Sequence, residues 1–228
     1  MTIAALILPF ALMQAAQGAQ AASPEDQQAA DRFQHCVSLI EHAPEQAYED
    51  GMAWASQTQS VQGYRCAAMA LIAEHRYEEG ARRLQSLANA LNPEYTGYKA
   101  ELLSQAGNAW LLARNAQQAR SALTRAITIV QGDRLQLPDL LIDRARAFAL
   151  ARDYRHAEED LSQALDIRPH DGLALALRAE SRMRQNSFDL AEVDINAAIA
   201  TDPTNVDYLK TRGDIIESRR TGAPVSEQ

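Results

Sequence analysis

The chain has 228 residues, 46% hydrophobic and 23% charged, with 30 acids against 22 bases and a formal net charge of −8. That balance excludes a disordered chain and argues against nucleic acid as the main partner, since phosphate binding needs a positive surface. Aromatic residues make up only 6% of the chain and alanine is abundant; alanine is the best helix former and lets helices approach closely, so an all-α protein is expected.

In chain order, the first feature is an apolar run from Ile3 to Met13, followed by small and polar residues, with no charge before Glu25. A run of about a dozen residues matches the central region of a secretory signal and is too short to span a bilayer. Ala19-Gln20-Ala21 has the spacing of a cleavage site. Residues 1–21 are therefore expected to be a signal peptide, and the mature chain to start near Ala22 without a stable membrane span, in the periplasm or otherwise exported. The departure from the pattern is that no Lys or Arg precedes the run. An uncleaved anchor and a buried amphipathic helix are the alternatives.

Residues 22–60 read as a divergent helix pair broken near His42-Ala43-Pro44. Cys36 and Cys66 are the whole cysteine inventory. In an oxidising compartment such a pair is expected to bridge; the other reading is two buried thiols. A zinc site with His35 and His42 is disfavoured, because adjacent His35 and Cys36 leave a helix about 100° apart.

From residue 61 the sequence repeats itself. Leu141, Ala145, Phe148, Tyr154, Ala157, Leu161, Ala164, Leu165 and Pro169 are followed thirty-four positions on by Leu175, Ala179, Arg182, Phe188, Ala191, Ile195, Ala198, Ile199 and Pro203. Upstream, Leu103, Gly107, Trp110, Ala119, Leu123 and Ala126 fill the same places, with four extra residues before Pro138, and Tyr64, Ala68, Leu71, Gly80, Leu84 and Ala88 form an earlier unit ending at Pro93. Downstream, Leu209, Gly213 and Ile216 repeat only the first half. Small residues let two antiparallel helices approach, large ones fill the seam, and the closing proline stops the second helix. Asn115, Asp153 and Asn186-Ser187 mark the turns inside each unit, with no glycine there, so tighter or more helical turns are expected.

A second periodicity is ionic. Arg144, Arg178 and Arg212 recur every 34 residues, as do Asp160 and Asp194. Guanidinium groups reaching aspartates across a helix pair explain both series: Arg144 or Arg178 with Asp160, and Arg178 or Arg212 with Asp194. Glu158-Glu159, near the start of a second helix, reads as exposed charge complementing the macrodipole.

These residues resemble the tetratricopeptide repeat, a helical hairpin of large, small, aromatic, small, small and closing-proline positions. The resemblance covers about residues 61–220, in units 61–93, 100–137, 138–171 and 172–205, with a capping helix at 206–220 and a polar tail at 221–228. It implies a right-handed superhelical array of antiparallel hairpins whose first helices line a concave groove that binds a peptide or helix of another protein. The contacts expected there are Arg65, Met69, Glu101, Ser104, Asn108, Asp139, Ile142, Arg146, Ala176, Glu180, Met183, Lys210 and Asp214. The family's clamp for a terminal carboxylate lacks its full set of basic and polar residues in this chain.

Motifs for a phosphate loop, a zinc protease or a serine nucleophile are absent from the sequence. The expectation is a non-catalytic interaction or scaffold module of the bacterial cell envelope, with no cofactor or metal and an unidentified protein or peptide as partner. The alternatives are a small-molecule-binding or accessory subunit of an envelope enzyme, or a cytoplasmic adaptor.

Overall fold

The structure, a computed structural model, describes residues 23–225. The expected signal peptide (1–21) and the end of the polar tail (226–228) lie outside the described residues. Within them the chain forms eleven helices. They are α1 (Pro24–Ile40), α2 (Pro44–Thr58), α3 (Val61–Ala73), α4 (Tyr77–Ala90), α5 (Thr96–Leu112), α6 (Ala116–Ile129), α7 (Leu137–Leu150), α8 (Tyr154–Ile167), α9 (Gly172–Arg184), α10 (Phe188–Thr201) and α11 (Val206–Thr221). Each helix packs on the next, and the odd-numbered helices also touch one another along the array, α1 with α3, α5 with α7, α7 with α9 and α9 with α11. The first helix of every hairpin therefore lies in one continuous inner layer, with the even-numbered helices outside it.

Two apolar clusters fill the seams. Ala81, Leu84, Leu103, Trp110, Leu123 and Ala126 belong to one, and Leu141, Ala145, Leu161, Leu175, Ala179 and Ile195 to the other. Ile127 and Leu137 touch both, so the core runs on without a break. At the amino-terminal end α2 and α3 are in near-backbone contact. A Cβ on Gly63 would lie 2.8 Å from the Ala55 nitrogen, and one on Gly51 2.9 Å from the Ala67 nitrogen, so only glycine fits at either place. Cys36 of α1 and Cys66 of α3 form a disulfide, with Cα atoms 6.1 Å apart, which ties the first helices of adjacent hairpins.

The turns inside the hairpins differ from expectation. His75, Arg114, Arg152 and Asn186 all have φ between 55 and 62°, the left-handed region glycine favours. Each hairpin turn closes by the same pair of bonds: Arg114 N–H to Leu111 O and Asn115 N–H to Trp110 O in one, Arg152 N–H to Ala149 O and Asp153 N–H to Phe148 O in the next. This is a Schellman closure carried by a non-glycine residue, not a tighter or more helical turn. Two of the polar residues that marked the turns cap the following helix: Asn115 accepts from Gln118 N–H at 3.1 Å, and Asp153 from His156 N–H, whereas Asn186 is itself the left-handed residue and the Ser187 side chain makes no cap bond.

Pro138 plays a different part from the later prolines. Pro169 and Pro203 sit between helices, but Pro138 lies in the first turn of α7, where its missing N–H costs nothing. It opens one unit and does not close the one before. The connection it follows is the longer one, with Gly132 at φ 94°.

Candidate functional site

The inner layer carries a row of polar side chains, built up from α3 to α11. At its amino-terminal end Arg65 is ion-paired with Glu101, donates from Nε to Gln105 at 3.2 Å, and lies over the rings of Phe33 at 5.0 Å and Tyr98 at 5.5 Å. Only 13% of the Arg65 side chain is exposed, so its charge is largely consumed by that cage. Met69 is half-buried beside it on α3.

In the middle, Asn108 of α5 donates to Asp143 of α7 at 2.9 Å, and Arg146 donates to the same carboxylate at 3.3 Å. Burial pushes the Asp143 carboxyl above the ordinary aspartate range, while the Asn108 amide and the Arg146 charge pull it back. Asn108 Oδ1 is buried without a hydrogen-bond partner, whereas Arg146 presents half of its side chain to the groove. At the far end Glu180, Arg184, Lys210 and Asp214 surround a depression of about 690 Å³ floored by Met183. The chain's own tail, Ala223 to Val225, enters that depression. Arg184 Nη1 donates to the Val225 carbonyl at 2.6 Å, and Val225 N–H donates to Ser218 Oγ at 3.0 Å.

Arg65, Asn108, Arg146, Glu180 and Lys210 thus share one layer, but three expected contacts are buried, Met183 as the floor of that depression. Ile142 is 4% exposed and Met183 2%. Ala176 is likewise buried. Consecutive first helices pack against each other, and that contact covers the flank on which Ile142, Ala176 and Met183 lie. Asp139, Arg146 and Glu180 stay on the open side as expected, and the partly buried Asp143 on α7 and Leu177 on α9 join them. Asp143 and Gln105 were not anticipated from sequence. Glu158 is not free surface charge either, since it accepts from Arg182 at 2.8 Å and from Gln185 at 2.8 Å across the α8–α9 joint.

The arginine and aspartate series do meet. Arg144 grips Asp160 with Nε at 2.8 Å and Nη2 at 2.7 Å, and Arg178 grips Asp194 with the same two atoms at 2.8 and 2.8 Å. In both cases the remaining Nη1 reaches a hydroxyl on the preceding second helix, Thr124 at 3.3 Å or Ser162 at 3.2 Å. Each fork therefore clamps three helices. Asp194 also accepts from Arg182 at 2.7 Å. These residues are structural and lie away from the groove.

Among the described residues no group of three or more His, Cys, Asp or Glu could hold a metal ion, and no helix is long and apolar enough to cross a membrane. No family model matches the chain. A stretch of 127 residues, 55% of the chain, is 27% identical to protein unc-45 homolog B of Danio rerio, and it spans 13% of that protein. Three solved structures are similar in fold. MamA from Desulfovibrio magneticus RS-1 superposes with a TM-score of 0.64 at 13% identity, covering 82% of this chain and 99% of that one. YrrB, described as a TPR protein with an unusual peptide-binding site, gives 0.63 at 12% identity over 83% and 94%. The carboxy-terminal TPR-containing domain of a Plasmodium falciparum FK506-binding protein gives 0.52 at 14% identity over 59% and 97%. With its repeated hairpins, shared inner layer and Schellman turns, the chain has the tetratricopeptide-repeat fold.

Proposed function

We propose that this protein is a non-catalytic interaction module of the bacterial cell envelope that binds an extended peptide or a helix of another protein along the concave inner layer. The observation that carries the reading is the tail in the groove: Arg184 and Ser218 already hold the Val225 backbone by its carbonyl and amide, the chemistry a bound peptide needs. The peptide-binding site named for YrrB, on the same fold, supports it. Export is supported by the Cys36–Cys66 bridge, which would persist in an oxidising compartment, and by the apolar segment at residues 3–13.

Arg65, Met69, Asn108, Arg146, Glu180 and Lys210 are the proposed contacts, with Asp143 and Arg184 added by the structure. Arg146 stands mid-row and half-exposed, the position where an anchor counts most. Arg146→Ala should weaken capture of a partner from an envelope extract by about 2 kcal/mol while leaving the melting temperature unchanged. Glu159→Ala, on the outer face of α8, is the control. If affinity responds to Glu159 and not to Arg146, the groove is not the site.

A further inference from the structure

The carboxy-terminal helix does not have the outer face of a cap. Terminal units of helical arrays ordinarily turn a polar face to solvent. On α11 the stripe Val206, Leu209, Gly213 and Ile216, at three- and four-residue steps along one side, is exposed: Val206 by 75%, Leu209 by 38% and Ile216 by 55%. Leu209, Gly213 and Ile216 occupy the places that Leu103, Gly107 and Trp110 occupy on α5, and Leu141, Ala145 and Phe148 on α7. On those helices the same face is covered by the second helix of the unit. A Cβ on Gly107 would meet Leu123 of α6 at 2.5 Å, whereas one on Gly213 meets nothing within 4 Å. Gly213 is a notch without its knob.

The ionic series points the same way. Arg144 and Arg178 each fork onto an aspartate of their own second helix, one residue before its central Leu161 or Ile195. Arg212 is the third member of the series, and among the described residues no carboxylate pairs with it. The described tail leaves this face open, because after Gly222 the chain turns to the groove side, where Val225 meets Arg184 and Ser218.

We propose that α11 is half of a repeat completed in trans by an amphipathic helix of a partner protein, lying antiparallel on Leu209, Gly213 and Ile216. The occupant's chemistry follows from α8 and α10: alanine, then three residues ending in aspartate, then leucine or isoleucine, then alanine three residues further. The aliphatic side chain fills the Gly213 notch and the aspartate takes the Arg212 fork. A second copy of α11 fits poorly, since the one aspartate–aliphatic pair of α11 is not on its open face: Asp214 lines the groove-side depression and Ile215 is buried in the core.

The probe is a peptide of the α8 sequence, Tyr154–Ile167, cross-linked between positions 155 and 159 on its outer face because isolated helices of this length are marginal. Titrated by fluorescence anisotropy, it should bind the full chain saturably below about 1 mM. Arg212→Ala in the protein and Asp160→Asn in the peptide should each weaken binding roughly tenfold, and together no more than either alone. Gly213→Leu should abolish binding without lowering the melting temperature, since the added side chain meets open space and leucine is the better helix former. Arg146→Ala should leave peptide binding unchanged, which separates this surface from the groove. No saturable binding, equal affinity for Gly213→Leu, or loss with Arg146→Ala would each overturn the proposal. A dimer in sedimentation that Gly213→Leu dissolves would overturn it in favour of a second copy.

Discussion

The two arginine forks look alike but should not respond alike to mutation. Asp160 and Asp194 are both 3% exposed, so each carboxylate depends on its partners for nearly all its solvation. Asp160 receives its ionic bonds from Arg144 alone, because the place Arg182 holds in the next unit is taken by Phe148. Asp194 receives two from Arg178 and a third from Arg182. Removing one partner of a buried pair costs about 3–5 kcal/mol, mostly by stranding the other charge. The arginines keep 15–18% of their side chains in water, which places the loss from Arg144→Ala near the lower end, about 3 kcal/mol. Arg178→Ala leaves Asp194 with Arg182 and should cost about 2 kcal/mol, one to two charge-assisted bonds. A cycle on Arg178 and Asp194 should show coupling of about 1 kcal/mol, above that of a typical exposed pair. Urea unfolding followed by circular dichroism supplies the stabilities. If Arg178→Ala proves as costly as Arg144→Ala, or the cycle shows no coupling, sharing of Asp194 does not set the energetics.

Further outcomes follow from other sites. Reducing the Cys36–Cys66 bridge, or replacing both cysteines by serine, should lower stability by about 3–4 kcal/mol by the chain-entropy model, given a separation of 30 residues; free-thiol labelling of native protein should find neither cysteine. Arg114→Gly should raise stability by about 0.5–1 kcal/mol, because glycine relieves the left-handed backbone at φ 55° at a smaller entropic cost; a lowered melting temperature would contradict that balance. Asp143 gives a pH signature. Its folded pKa lies above 3.8, so the fold holds this proton longer than the unfolded chain does, and this residue's contribution to stability falls as pH rises from the unfolded towards the folded pKa. Asp143→Asn should therefore be more stable than wild type at about pH 7, with the advantage vanishing near about pH 3.

The periodic small and large residues settle the hairpins by themselves. Ala145, Ala157 and Ala164 with Leu141 and Leu161 specify how two antiparallel helices meet, because contacts inside a hairpin depend on helical periodicity and a short turn. The arginine and aspartate series was legible for the same reason: Arg144 and Asp160 sit on the two helices of one hairpin, so a repeat of 34 keeps each pair in register. The turn conformation was not legible, since Arg114 and Arg152 hold a backbone shape that composition alone assigns to glycine and only the Schellman bonds to the preceding helix enforce. That Pro138 starts a helix, unlike Pro169 and Pro203 between helices, was not legible from residue type, because a proline tolerates both the end of one helix and the first turn of the next.

The burial of Ile142, Ala176 and Met183 belongs to the tertiary structure alone. Ile142 and Met183 lie on the inner half of their helices, but whether that flank faces solvent depends on the angle between successive hairpins. That angle is set by packing between first helices of different repeats, α5 on α7 and α9 on α11, which no single repeat encodes. The exposed face of α11 belongs there too: the sequence of Leu209, Gly213 and Ile216 matches that of a covered first helix, and only the arrangement in space shows that nothing described lies over it.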